Sequence, residues 1–306
     1  MSFDPALLRD AVTIFQGILI EAIPFLLLGV IASAFVHVYV KSETILRFIP
    51  KSRFGSILVG PMMGFLFPVC ECGNIPLARR MINKGVPIHT VVSFLFAAPV
   101  FNPVVILATY AAFSNQPMVV VWRVVLSLII AMIVSAVISL VKSKEELLSS
   151  AMLNDKTNHE ACECDPNSRV KKKRFTAFTS NMTTEFLELG ALLILGALIA
   201  SFSQVLIPRE WIASLGQGPI MSIIAMMLMA ALISICSNVD AFFALSYVNT
   251  FSMGSIMAFL VFGPMIDIKV FVMLPKIFRL KAIILITILI AQLVFLFTAF
   301  YNLNLS

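Results

Sequence analysis

The sequence predicts an all-α polytopic membrane protein made of two inverted repeats, with about eight to ten transmembrane or re-entrant helices broken near the bilayer centre. Three observations carry this prediction. Sixty per cent of the 306 residues are apolar and only 12% are charged, with a mean hydropathy of +1.00, so lipid is the solvent for most of the chain. Apolar stretches of spanning length recur from end to end. Two sets of interruptions in those stretches repeat about 166 residues apart.

Six stretches are long enough to cross: 11–40, 87–113, 117–141, 182–207, 254–275 and 282–302. The first has no basic start, carries Glu21 and Pro24 and continues to Val40, so it reads as a retained helix and not a cleaved leader. Phe54–Val69 is apolar but short, holds Gly60, Pro61, Gly64 and Pro68, and runs into Cys70-Glu71-Cys72-Gly73-Asn74. Gly218–Ile235 is its counterpart and runs into Cys236-Ser237-Asn238-Val239-Asp240. A weaker helical stretch follows each.

If both awkward segments go in and return as hairpins, 18 Lys and Arg residues share one side, against Arg9 and Arg209 on the other. That side then holds the short loops around Lys41–Arg53, Arg79–Lys84 and Lys276–Lys281, and the long polar loop. The positive-inside rule makes it cytoplasmic. Each half then crosses an odd number of times, which inverts one half relative to the other. The implied organisation is a membrane repeat over 1–141, a polar and basic cytoplasmic loop over 142–180, and a second membrane repeat over 181–306, in the plasma membrane.

Broken helices inside a bilayer normally line a protected cavity, because lipid cannot satisfy their freed backbone groups. The repeat puts breaks at equivalent places. Besides the cysteine-bearing turns, these are Pro99-Val100-Phe101-Asn102-Pro103 and Gly263-Pro264-Met265-Ile266-Asp267. The substrate-pathway candidates are therefore Cys70, Cys72, Asn74, Pro99, Asn102, Pro103, Cys236, Asn238, Asp240, Pro264 and Asp267. The rival reading is that Pro and Gly only kink helices for packing. A charged group at mid-membrane costs about 2.5–3.5 kcal/mol unless paired or hydrated. Asp240 and Asp267 are candidates to couple protons or touch solute. Glu21 and Glu188 read as coupling groups or as partners of the broken backbone in their own half. Lys269 is a candidate partner for Asp267, and Arg123 reads as snorkelling to the surface.

Thiolates suit soft or thiophilic partners, and Cys70, Cys72 and Cys236 converge on one solute if the hairpin tips meet. Small apolar packing is the alternative for the same cysteines. His159, Cys162 and Cys164 in the polar loop form an incomplete metal-ligand set, so a solvated loop competes with a metal-sensing arm. Beyond a metal ion there, no cofactor is expected. No nucleophile with a base, phosphate loop or dinucleotide fingerprint is present, so no enzyme activity is expected, and the basic residues lie in loops as for a membrane protein and not a nucleic-acid binder.

The run Pro68-Val69-Cys70-Glu71-Cys72-Gly73-Asn74-Ile75-Pro76-Leu77 and the breaks at Ala97–Pro103 and Phe262–Lys269 resemble the ArsP-type predicted permease family over nearly the whole chain outside 142–180. The resemblance implies a permease, and the members that named the family export trivalent organoarsenicals. The expected function is a secondary transporter, in the efflux direction, for a small thiophilic or metal-related solute. Expected partners are lipid, the solute, and a second membrane subunit or further copies of the chain. The alternative is a non-transporting membrane component that handles or senses metal with a partner protein.

Overall fold

The structure, a computed structural model, describes residues 5–39, 47, 49–50, 52–66, 70–141, 147–149, 152, 170–206, 218 and 220–304. Among them every extended element is a helix, joined by short turns. The first half comprises α1 (Pro5–Tyr39), α2 (Arg53–Leu66), α3 (Glu71–Asn83), α4 (Ile88–Ala97), α5 (Pro103–Ala112) and α6 (Met118–Leu140). The second comprises α7 (Val170–Leu206), α8 (Met221–Ile233), α9 (Asp240–Leu245), α10 (Met253–Met265), α11 (Ile268–Met273) with a 3-10 turn at Leu274–Lys276, and α12 (Leu280–Asn304). Among the described residues, five segments are long and apolar enough to cross a membrane: Arg9–Val36, Met118–Leu140, Met182–Val205, Met253–Lys276 and Leu280–Leu303. The protein is an all-α, multi-pass membrane protein.

Two breaks follow from local chemistry. Asn102 is extended and its side-chain oxygen accepts from the Val104 amide at 2.9 Å, starting α5 with Pro103 in its first turn. Proline there gives up an amide that has no helical partner in any case. Asp267 does the same for α11, accepting from the Val270 amide at 2.7 Å. The expected crossing at 87–113 is thus two half-length helices, α4 and α5, joined at 98–102.

The halves pack alike. α2 lies along α4, with Ser56 Oγ 2.9 Å from His89 Nε2, Ser93 Oγ donating to the Ile57 carbonyl, and Gly64 against Ala98. α8 lies along α10 in the same parallel sense, with Ser222 Oγ 2.7 Å from Ser255 Oγ and Gly263 against Ala230. Gly60 makes the first pairing possible, since a Cβ there would meet the Thr90 carbonyl at 2.7 Å.

The two pairs enter from opposite faces. α6 crosses from the 113–117 turn to the polar loop, and Leu147–Ser149 of that loop clips onto the 277–279 turn. There the Ser149 amide donates to Ile277, and the Arg279 amide to Leu147. The loop, the 84–87 turn and the 277–279 turn therefore share one face, called the basic face. α2 starts beside His89 at that face. α8 starts beside Ser255, at the end of α10 far from it.

Candidate functional site

The hairpin tips carry the same turn. Cys70 caps α3, and its carbonyl accepts from the amides of Gly73 and Asn74 at 3.0 and 3.1 Å. The Cys236 carbonyl accepts from Val239 and Asp240 at 3.0 and 3.1 Å. Before it, Ser234 turns the chain out of α8 with φ of 52°, and its hydroxyl accepts from the Ile268 amide at 3.2 Å, tying this tip to the break at α11.

The tips meet. One ligand atom each from Cys70, Glu71 and Cys236 lies within 4.8 Å of the others, all three residues being buried. The Cys70 thiol lies beside those of Cys236 and Cys72, and none of the three cysteines is in a disulfide. Ser237 Oγ donates to Glu71 Oε2 at 3.1 Å, so a side chain of the second half holds the carboxylate of the first.

Beside the thiols sits Lys269, 2% exposed, with Nζ 3.6 Å from Asp267 Oδ2. Its charge acts on Asp267, Cys72, Glu71, Cys236 and, on α1, Glu21. The centre thus holds two carboxyl groups, of Asp267 and Glu71, beside one amine and three thiols. Several buried polar atoms here have no hydrogen-bond partner: both amide atoms of Asn74 and Asn238 Oδ1. Unmet buried groups of this kind fit a site that receives a solute or water. The Asn238 amide does reach Cys236 Sγ, at 3.7 Å.

Two sets of ion pairs flank the centre. Away from the basic face, Arg123 Nη2 on α6 reaches Asp240 Oδ2 at 2.6 Å, and Arg123 Nη1 donates to Thr109 Oγ1 on α5 at 2.7 Å. Toward the basic face, Glu185 Oε2 on α7 accepts from Ser33 Oγ of α1 at 2.9 Å and from Arg80 Nη2 of α3 at 3.4 Å. Glu188 Oε2, also on α7, meets Arg79 Nη1 and Lys276 Nζ, each at 3.3 Å.

The hairpin tips bring Cys70, Cys72 and Cys236 together with Glu71, Asp267 and Lys269; Asn74 and Asn238 lie on the same tips, Asp240 stands in the flanking pair with Arg123, and Asn102 and Pro103 form the break that starts α5. Pro99 lies in the turn after α4 and Pro264 in the last turn of α10. Two readings need correction. Arg123 does not snorkel: it is 1% exposed because Asp240 and Thr109 turn its guanidinium inward. Glu188 does not bond broken backbone; it pairs with Arg79 of the other half and Lys276 of its own. His159, Cys162 and Cys164 lie outside the described residues. Sequence reasoning missed Ser33, Arg80, Glu185 and Ser237. Glu185, a second carboxylate one turn before Glu188 in an apolar stretch, was the available signal for the basic-face pairs.

The ArsP_1 family model, described as predicted permease, matches residues 7–303. The chain is 40% identical over 274 residues to UPF0718 protein YcgR of Bacillus subtilis (strain 168), covering 90% of each. It is 35% identical over 282 residues to a protein of Streptococcus mutans serotype c (strain ATCC 700610 / UA159), provisionally named a two-component membrane permease complex subunit, covering 92% of this chain and 91% of that one. No solved structure matches.

Proposed function

The chain belongs to the ArsP_1 family of predicted permeases, and on that premise we propose that it moves a small thiophilic solute by alternating access through the Cys70–Glu71–Cys236 cluster. One observation supports this above the rest: two thiols and a carboxylate, drawn from both halves, stand within 4.8 Å of one another at a buried meeting of broken helices. Solute sites of transporters with inverted repeats occupy that position.

A trivalent organoarsenical suits this set. Its arsenic carries two hydroxyl groups, and Cys70 and Cys236 each displace one, the thiol proton leaving with the hydroxide as water. Arsenic is neither oxidised nor reduced, and the adduct is neutral. Glu71, held by Ser237, supplies an oxygen beside the sulfurs. Water returning from either side reverses the exchange and frees the solute. The positive-inside rule leads us to place the basic face and the 142–180 loop in the cytoplasm of a plasma-membrane protein, and we assign the direction as efflux from the resemblance to the organoarsenical-exporting members of the family.

The test is efflux of phenylarsine oxide from cells and its uptake into everted vesicles, with the parent and with Cys70→Ser/Cys236→Ser. A loss of about tenfold or more is expected, as for removed ligands or their supports. Equal transport by both proteins would sink the proposal. The name of the S. mutans relative favours a second reading, in which the chain works with a companion membrane subunit. Transport that appears only when a companion is co-expressed would support it. A non-transporting role in a metal-handling complex would leave vesicle uptake at background with or without one.

A further inference from the structure

The pairing of α1 and α7 with the rest of the molecule does not obey the internal repeat. The repeat relates α1 to α7, α3 to α9 and α5 to α11. Gly29 of α1 crosses Gly73 of α3 so closely that a methyl group at Gly29 would overlap the Gly73 backbone. Gly196 of α7, the counterpart of Gly29, crosses the Lys269 backbone at the start of α11, 3.1 Å from the position a Cβ would take. A symmetric molecule would also pack α7 on α9 and α1 on α5, and neither comparable contact is made.

The uncovered faces are apolar. α3 is buried along almost its whole length, whereas Val239, Phe242 and Leu245, three residues apart on one side of α9, are 43–48% exposed. Val104, Leu107 and Tyr110, at the same spacing on α5, are 47–67% exposed. α5 and α9 pack together, so these rows belong to one region of the half of the molecule remote from the basic face.

We propose that α1 and α7 move as a unit between two docking faces, the α3/α11 face they occupy here and the α5/α9 face exposed here. The occupied docking seals the path from the thiols to the basic face; the other opens it. This rests on the alternating-access reading above and adds to it the moving part and the latch. The latch is the Ser33–Glu185–Arg80 and Arg79–Glu188–Lys276 set, which ties α1 and α7 to α3 and to the turn after α11. At the repeat positions the second face carries no matching charges. Leu245 and Tyr110 stand 166 residues from Arg79 and Lys276, and Glu21, the counterpart of Glu188, keeps a buried Oε1 with no hydrogen-bond partner. The charges therefore bias the molecule toward the docking described here, and interfaces of this kind switch between discrete packings.

The experiment is double electron–electron resonance on the full chain in liposomes, with Cys162→Ser and Cys164→Ser to remove loop thiols. One pair of spin labels goes on Ile20→Cys and Leu107→Cys, a second on Ile194→Cys and Phe242→Cys, all at exposed positions. Gly29→Ala and Glu185→Gln should each raise the ratio of a shorter-distance population by about tenfold, the ratio being set by the differential stability of the two dockings. A single distance distribution, unchanged by both substitutions, would mean that lipid alone covers α5 and α9, and would overturn the proposal. If Gly29→Ala fails to insert, Glu185→Gln decides alone. A population shift without arsenical transport would uphold the movement while removing the cargo.

Discussion

The Arg123–Asp240 pair gives the sharpest energetic prediction. Its atoms are 2.6 Å apart, its side chains are 1% and 3% exposed, and Thr109 takes a second guanidinium bond. Asp240→Leu leaves a guanidinium buried with Thr109 as its remaining partner. Arg123→Met leaves a carboxylate in the same position. Breaking a buried pair from one side costs about 3–5 kcal/mol, because the survivor is a buried charge without its counter-charge. That is a large share of a net stability of about 5–15 kcal/mol. Each single variant should lose on the order of 10 °C in Tm, followed by fluorescence-detected size exclusion after heating detergent-solubilised protein. Arg123→Met/Asp240→Leu removes both charges and should recover most of the loss, since apolar replacements of buried pairs are often neutral. Single variants that melt with the parent would refute the reasoning, as would a double variant less stable than either single.

Three further outcomes follow from the same structure. Gly60→Ala puts a methyl group 2.7–2.9 Å from the Thr90 carbonyl, Phe94 amide and Ser93 Cβ, and should cost about 1–3 kcal/mol as lower Tm and yield. Asp267→Asn keeps an oxygen to cap Val270 but leaves Lys269 without its carboxylate, so solute flux should be abolished while membrane insertion stays at the parent level, as read by vesicle uptake and immunoblot. Deleting 155–168 should leave phenylarsine oxide efflux within about twofold of the parent, the scatter expected when no solute contact is lost; a collapse of efflux would favour a metal-sensing role for the loop.

Much of the architecture was readable because lipid imposes strict rules. Apolar length marked the helices, loop charge grouped the 84–87 and 277–279 turns with the polar loop, and proline with glycine marked the breaks. The 166-residue offset visible at Cys70 and Cys236 reappears as hydrogen bonds, with Ser56 and His89 standing where Ser222 and Ser255 stand in the other half. The meeting of Cys70 with Cys236 followed from that offset, provided the tips were adjacent. The ion pairs were harder to read. Arg123 and Asp240 are 117 residues apart and lie outside each other's repeat position, so no local pattern joins them. Arg79 and Arg80 looked like ordinary loop charges, because nothing local to α3 shows that α7 brings carboxylates to meet them. Hydrophobic periodicity reports which segments are buried, and it is silent on which of two equivalent faces a helix covers.

The bond from Ser237 to Glu71 spans 166 residues of chain, and this has a consequence for biosynthesis. When the ribosome has delivered the first half, Glu71 and the cysteines beside it are already made, and the serine that will hold the carboxylate has not been translated. The packing of α1 against α7 is missing at that stage too. The first half must therefore wait in a membrane where its polar tip has no cover from the second half, and an unpaired carboxylate at that depth costs about 2.5–3.5 kcal/mol on insertion scales. The nascent chain should stay beside the insertion machinery, or near the lipid surface, until α8 and α9 emerge. Slowed translation after Val141 should make it a target for membrane proteases, and supplying the second half as a separate polypeptide should rescue it.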